Sequence, residues 1–324
     1  MKPAITLLSF IVALFSHADY LPLVHGAKAN LELTICDDDG STISNANVRV
    51  SFLVKPTKEF VCDGTTDDRG KFSAECDSCI GRYTVRVSKE GFYDTFIKKS
   101  IRAKDMATVT KTKNWSVNAI ENKIVLKPIK NPIKLQSSIF LNAAFPATNE
   151  VIKLDLQTLK WCPPHGNGKT DDIHLTYKEE NDPDSWLNFT RSLEINFPHC
   201  ADGFYTAKTD KSGSAMQYSY AANPEKEYKK KISFSFSRTA QTVTQNTKLP
   251  DDEYLVFRVR TQTNETGKVI SANYGIIEER IRYITGFSFG AKFNSRENDA
   301  NLEDERVLRL QKNEQSRQKR RRIR

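Results

Sequence analysis

The sequence lacks the signatures of several enzyme and membrane-protein classes. Only five of its 324 residues are histidines, none follows His199, and no H-E-x-x-H metalloprotease motif occurs. The G-x-S-x-G of Gly286–Gly290 therefore has no later histidine to serve as the base of a hydrolase nucleophile. No apolar run reaches the roughly 20 residues that cross a bilayer as a helix. These absences argue against a zinc metalloprotease, an α/β-hydrolase and a multi-pass membrane protein.

The net charge of +9 is concentrated at the two ends of the chain. The last 14 residues, Gln311–Arg324, hold seven Lys or Arg and one Glu, and Lys2 adds one more positive charge. The body between them is close to neutral. It therefore lacks the basic surface with which a nucleic-acid-binding protein meets phosphates, and we expect no nucleic-acid partner.

The N-terminus has the three parts of a secretory signal peptide. Lys2 is followed by the apolar run Ala4–Phe15 and by the small residues of a cleavage site at Ser16–Ala18. We therefore expect residues 1–18 to be a signal peptide, with cleavage near residue 29 as the alternative. The sequence predicts an exported protein, periplasmic, cell-envelope-associated or secreted, with no transmembrane segment in the mature chain.

Six cysteines in an exported chain favour disulfide bonds. Four precede residue 80 and two follow residue 160, so each half of the chain can close its own bridges. We expect Cys162 to pair with Cys200, and Cys62 to pair with Cys76 or Cys79, which leaves Cys36 for the other. The predicted disulfide residues are Cys36, Cys62, Cys76, Cys79, Cys162 and Cys200.

Residues 30–127 carry the alternating pattern of β-strands. Leu31–Ile35, Val48–Phe52 and Tyr83–Val87 each place apolar residues at every second position, and Asp- and Gly-rich turns separate them. Strands spaced in this way, with no helical segment between them, predict a small β-sandwich.

The motifs of this region resemble a known family. Thr65–Phe72 has the pattern T-D-x-x-G-x-F, and Gly81–Val87 follows with G-x-Y-x-V-x-V. Together they resemble the carboxypeptidase regulatory-like domain, a transthyretin-like (prealbumin-like) sandwich of seven strands. The resemblance implies a fold and an accessory module, and it implies no catalytic residue.

Residues 128–144 form a predicted linker, and residues 145–310 are rich in strands again. Leu193–Phe197, Ile232–Phe236 and Leu255–Val259 alternate apolar residues with others. We expect a second, larger β-sandwich of jelly-roll type, so that the chain as a whole is all-β.

Parts of this second region also resemble known sequences. Trp161–Asp171, Ala221–Lys230 and Tyr254–Tyr283 are similar to the C-terminal half of a family of bacterial exported proteins of unknown function. In that family a carboxypeptidase regulatory-like domain comes first. The resemblance implies no activity.

A long polar segment, Asp202–Lys231, is predicted to be a loop at the rim of the second sandwich. Loops positioned by rigid strands often carry recognition, and aromatic faces beside hydrogen-bond donors suit a sugar or a partner side chain. The alternative is that these rings only anchor the loop to the sandwich. The candidate binding residues are Phe204, Tyr205, Tyr218, Tyr220 and Tyr228.

A second constellation offers metal ligands. Two Cys and two His can bind zinc in a tetrahedral site, and a further His is near them in sequence. The simpler interpretation is a Cys162–Cys200 disulfide with the histidines nearby. The candidate metal ligands are Cys162, His165, His174, His199 and Cys200.

Taken together, these features favour a non-catalytic binding or scaffolding protein of the cell envelope or extracellular space, without a cofactor. Its expected partner is a carbohydrate, an envelope polymer or another exported protein. The alternative is a metal-assisted hydrolase that acts on an envelope polymer. Residues 311–324 are predicted to be a disordered basic tail, which can bind an anionic surface.

Overall fold

The chain divides after Pro128 into two units, and Ser212–Ser214 belong to the first of them. The computed structural model describes residues 26–101, 106–115, 122–278 and 281–323. The predicted signal peptide, residues 1–18, lies outside the described residues. Within the described ranges, the protein contains no helix of the length and apolar character needed to cross a membrane.

The first unit consists of short strands and one short helix. Their bounds are β1 (Ala27–Cys36), β2 (Asn47–Lys55), β3 (Lys58–Thr65), β4 (Lys71–Cys79), β5 (Arg82–Ser88), β6 (Thr95–Ser100), α1 (Met106–Thr112), β7 (Asn114–Trp115) and β8 (Asn122–Val125).

Two four-stranded sheets make up this unit. In one, β1 pairs with β4, β7 and β8, and in the other the order is β3-β2-β5-β6. Every second residue of β1 is buried, as alternation predicts, and Leu31 and Leu33 share one core with Val48 and Val85 from the other sheet. The expectation of all-β structure is confirmed for this half of the chain.

The first unit contains one element that the sequence analysis did not predict. The short helix α1 was not expected from its Thr- and Val-rich sequence, and it forms where Val109 is buried in the core. Cleavage near residue 29 would remove the start of β1, where Ala27 and Ala29 are almost fully buried and pair with β4. Both cleavage sites stay predictions.

The second unit holds longer strands and a C-terminal helix. Their bounds are β9 (Gln136–Ala143), β10 (Val151–Asp155), β11 (Lys160–Trp161), β12 (Ile173–Asn181), β13 (Phe189–Asn196), β14 (Gly203–Lys208), β15 (Lys231–Arg238), β16 (Val243–Asn246), β17 (Glu253–Thr263), β18 (Val269–Ile277), β19 (Phe287–Phe293) and α2 (Glu305–Ile323).

Two antiparallel sheets bury the main core of this unit. Their orders are β11-β10-β12-β13-β15-β16 and β14-β17-β18-β19-β9. Leu175 and Leu193 from the first sheet meet Phe257 and Phe289 from the second. Consecutive strands mostly pair with each other, so the strand order is that of antiparallel meanders and the expected jelly-roll order is wrong. The predicted linker 128–144 is also wrong in part, since β9 completes the second sheet.

Strands β17 and β18 of the five-stranded sheet are buried on both faces over most of their length. The outer face of this sheet carries Tyr254, Val256 and Ile276, which form a smaller core with Ala222 and Leu302. A strand that is buried on both faces typically has a continuous apolar run, and β17 contains the run Tyr254–Phe257. The segment after β14 thus covers this face. The expectation of one long loop over Asp202–Lys231 is wrong, because these residues form β14 and the covering segment.

The C-terminal tail is helical where a disordered tail was expected. Helix α2 begins after Asp304, whose side-chain oxygen accepts a hydrogen bond of 3.0 Å from the Arg306 N–H. Glu305 lies in the first turn, where the helix dipole favours an acid, and it forms an ion pair with Arg309. The sequence Glu305–Ile323 contains no Gly or Pro and many good helix formers, which explains the outcome.

Candidate functional site

The aromatic residues proposed for binding are mostly packing residues. Phe204 lies in the main core of the second unit, and Tyr205 belongs to the smaller core, with 2% and 8% of their surfaces exposed. Tyr218 is half-buried and packs edge-on against Tyr254, with ring centroids 4.8 Å apart. Tyr220 lies under the Lys130 ammonium at 4.3 Å.

Tyr228 is fixed in the same way. Its ring packs edge-on against Tyr205 at 5.3 Å, and the Arg258 guanidinium lies 4.1 Å from its centroid. Its hydroxyl donates to the Asn223 carbonyl over 3.1 Å, and burial raises its pKa. The geometry of this segment therefore matches the anchoring role that the sequence left open.

The candidate metal ligands do not form one ligand set. Cys162 is buried and donates to the Thr170 carbonyl over 3.3 Å, and burial followed by nearby carboxylates raises its pKa to about 11. His165 contacts Cys162 through the backbone, and Cys200 is exposed. Among the described residues, no three His, Cys, Asp or Glu side chains converge with the geometry of a metal site.

Asp171 lies between two of the candidate histidines. The His174 Nε2 is 2.9 Å from one carboxylate oxygen, and the His199 Nε2 is 2.7 Å from the Asp171 backbone carbonyl. The Lys153 ammonium is 2.9 Å from the second carboxylate oxygen. Burial alone would raise the pKa of Asp171, but the hydrogen bond from Lys153 and then His174 outweigh it and lower the pKa. The carboxylate is thus held ionised by its neighbours, and the histidines face oxygens.

A buried charge network lies next to this cluster. The Arg260 guanidinium donates two bonds to Asp172, of 2.9 Å and 3.0 Å, and one of 3.3 Å to Asp155. It donates a fourth, of 2.7 Å, to the Gln157 side chain and lies 4.8 Å from the Phe293 ring centroid. The two carboxylates are 2% and 1% exposed. The network joins β10 and the turn before β12 to β17.

The backbone of Arg260 is unusual for this role. Its φ is 56°, in the left-handed region, at an irregularity in the pairing of β17 with β18. The buried Asp202 carboxylate accepts hydrogen bonds from the backbone N–H groups of Arg260 and Thr261, over 3.2 Å and 2.9 Å. Asp202 thus holds the conformation that turns the guanidinium toward the two carboxylates.

Pairing of Cys36 with Cys76 or Cys79 is wrong. In the β1–β4 register Cys76 lies opposite Ala29, whereas Cys36 ends β1 seven residues later. Seven residues at about 3.3 Å each place the Cα atoms of Cys36 and Cys76 more than 20 Å apart, whereas a disulfide needs Cα atoms within about 7 Å. The fold keeps Cys36 away from both partners.

The other cysteine pairings stay predictions. All six cysteines are free thiols in the structure. Cys62 donates to the carbonyl of Glu75, the residue before Cys76, over 3.4 Å, so these two cysteines are neighbours. Burial raises the pKa of both thiols.

Sequence reasoning missed an aromatic surface at one end of the six-stranded sheet. We call it the strand-end face, and it consists of Phe189, Arg191, Phe236, Arg238 and Val243. These residues share one face, because Phe189 lies opposite Arg238, Arg191 opposite Phe236, and Arg238 opposite Val243. This face continues the core face past Leu193 and Phe234, where the sheet extends beyond its main core.

The strand-end face combines flat rings with charge. The Phe189 and Phe236 rings stack with centroids 5.6 Å apart, and the Arg191 guanidinium lies 4.8 Å from the Phe189 centroid. Both rings are half-buried, and Val243 is 58% exposed. At the same end, the β12–β13 connection carries Trp186, which is 83% exposed. The strand in the structure, Phe189–Asn196, begins four residues before the run Leu193–Phe197 that the sequence predicted, so the prediction left Phe189 and Arg191 out.

Comparisons with known proteins leave the family open. No protein-family model matches the chain, and the curated proteins give no significant match. Similar solved structures include a 3-chlorocatechol 1,2-dioxygenase from Rhodococcus opacus 1CP, at 11% identity and a TM-score of 0.24, covering 32% of this chain and 61% of that one. A DUF3823 family protein from Parabacteroides merdae, at 9% identity and a TM-score of 0.21, covers 72% of this chain and 91% of its own.

A protein of unknown function from Bacteroides fragilis has 10% identity and a TM-score of 0.18, with 83% and 99% coverage. This chain spans less than two thirds of the dioxygenase. These similarities assign neither a family nor an activity to the chain. The resemblance of the first unit to the carboxypeptidase regulatory-like domain is not confirmed by them.

Proposed function

We propose that this protein is an exported, non-catalytic binding protein of the cell envelope or extracellular space, and that it binds through the strand-end face. The observation that carries the proposal is the stacked pair Phe189 and Phe236 on a sheet face beyond the core. The half-buried rings offer a flat apolar surface, and the Arg191 guanidinium beside them is held by the Glu179 carboxylate at 2.8 Å. Binding sites are lined mostly by apolar and aromatic side chains of this kind.

The surroundings of the charged groups support a binding role over a catalytic one. Asp155 and Asp172 are held by Arg260, and the Asp171 carboxylate is paired with Lys153. A general base needs a side chain that is free to take a proton from a substrate. These carboxylates are instead occupied in holding strands together.

The proposal predicts that Phe236→Ser abolishes binding without unfolding the protein. The purified protein and the variant are applied to one array of immobilised glycans, lipids and extended peptides. We expect retention on one ligand class by the wild type and at least a tenfold loss in the variant. Phe60→Ser is the matched control, because Phe60 is a partly exposed ring, at 47%, on strand β3 of the first unit.

Two outcomes contradict the proposal. The strand-end face is not the site if Phe236→Ser and Phe60→Ser weaken retention equally, or if the wild type retains nothing. A change in the mass of the retained ligand after incubation with the wild type would show turnover and contradict the non-catalytic part. Circular dichroism of each variant checks that the fold is intact.

A further inference from the structure

Strand β9 is an uncharged edge of the five-stranded sheet, with a bulge at Leu141–Asn142 near its end. In the described part of the chain β19 pairs with one side of β9, and no strand pairs with the other. Its sequence, Gln136–Ala143, contains no charged residue, proline or glycine. The unpaired N–H and C=O groups of such an edge are a template for another strand.

Two aliphatic side chains stand exposed along this edge. Ile139 is 59% exposed and Leu141 is 73% exposed, and both point to the same face because they are two residues apart. Natural edge strands usually carry charges that prevent pairing with another chain. Edge strands β3 and β6 of the first unit do so, with Lys58, Glu59 and Asp63 on β3 and Lys98 and Lys99 on β6. Edge strand β16 is also uncharged, and it has polar residues at three of its four positions.

We propose that β9 pairs with β9 of a second copy of this chain, antiparallel about a two-fold axis at Phe140. This register places Ile139 opposite Leu141 of the other copy, and Leu141 opposite its Ile139. It also places the two Phe140 rings opposite each other on the inner face, where each already stacks on Trp161 at 4.9 Å. Apolar and aromatic cross-strand pairs are the contacts that stabilise neighbouring strands.

Self-complementarity is what identifies a second copy as the occupant. The sequence around Phe140 has an aliphatic residue on each side and a polar one beyond, Ser138 and Asn142. A two-fold operation therefore matches like with like, as an isologous interface requires. The match needs no partner of unknown sequence.

The predicted dimer is weak. Pairing of β9 with β19 is regular from Gln136 to Phe140 and shifts before Ala143, which limits the length of a new ladder. A short ladder buries less than the ~1,200 Å² of a standard stable interface, so we expect dissociation in the micromolar range. The two-fold axis doubles the effect of any substitution, because each change enters the interface twice.

Sedimentation velocity of the purified protein from about 1 µM to 1 mM tests the proposal. We expect a monomer–dimer equilibrium, and at least a tenfold weaker one for Leu141→Lys. Ile270→Lys is the matched control: Ile270 is 54% exposed, and it lies on β18, whose two sides pair with β17 and β19. The control should dimerise like the wild type, and both variants should have the melting temperature of the wild type.

Hydrogen exchange of the Gln136–Ala143 amides gives the second readout. Protection should rise with protein concentration in the wild type and in Ile270→Lys, and stay low in Leu141→Lys. A wild type that is monomeric throughout overturns the proposal. So does a dimer that Leu141→Lys leaves unchanged, since it would use another surface. The array above tests the strand-end face separately, so either result can fail without the other.

Discussion

Arg260→Met should cost the second unit a large part of its stability. The substitution keeps a long apolar stem against Phe293 and removes the guanidinium that both carboxylates share. Asp155 and Asp172 are at most 2% exposed, so water cannot replace the lost bonds. The variant therefore leaves two buried carboxylates without their cation.

The size of the effect follows from that burial. Removing one partner of a buried ion pair typically costs about 3–5 kcal/mol, because the remaining charge is left uncompensated. For a unit of this size that corresponds to a fall in melting temperature of about 6–20 °C. Burial raises the pKa of Asp172 and the bonds to Arg260 lower it, and the pKa stays above its ordinary value because burial is the larger effect. Once the cation is gone, the Asp172 carboxyl therefore takes up a proton more readily.

Urea unfolding of the wild type and variants measures the loss. Arg296→Met is the matched control, since Arg296 is 63% exposed and its ion pair with Asp299 is long, at 3.7 Å. This variant should change stability by less than about 0.5 kcal/mol. Asp172→Asn in the Arg260→Met background should recover part of the loss, because it removes one stranded charge. A loss below about 1 kcal/mol for Arg260→Met would refute the argument that this network joins the strands.

Three further predictions concern single residues. The pKa of Asp171 is lowered, so its ionised form stabilises the fold above about pH 4, and that contribution is lost as the pH falls through the lowered pKa. Asp171→Asn should therefore lower the stability measured by urea unfolding at pH 6 and change it little at pH 3. Alkylation and peptide mapping of the oxidised protein should recover no Cys36–Cys76 bridge, and finding one would contradict the β1–β4 register. Tyr218→Ala should cost about 2–3 kcal/mol in thermal unfolding, since its ring packs on Tyr254, and unchanged stability would reopen a binding role.

Alternation along the chain predicted the strands and missed what covers them. Alternation groups Leu255, Phe257 and Val259, and all three lie in the main core of the second unit. The apolar residues that alternate with them, Tyr254 and Val256, require a second buried face, which the alternation alone does not show. The tyrosines of the covering segment looked available for binding because the sequence does not show which strand faces they meet.

Pairing between distant segments explains the other differences. Six cysteines and a predicted export signal favour disulfides, but only the β1–β4 register shows that Cys36 lies at the far end of its strand. The strand-end face depends on which strands are neighbours and on how far one sheet extends past the other. Neither property has a local sequence signal, whereas helix α2 had one in its capping residue Asp304 and its composition.

The arrangement of charge in the second unit separates stability from recognition. Arg260, Asp155 and Asp172 are polar groups that many enzymes would place in a cleft, and here they join strands of the two sheets. A network satisfied in this way rigidifies a fold and offers no free group to a ligand. Under the proposed binding function, recognition would use surfaces that the core does not require, which are the ends and edges of the sheets. The strand-end face and β9 are two such surfaces, because the first lies past the main core at one end of a sheet and the second is a sheet edge.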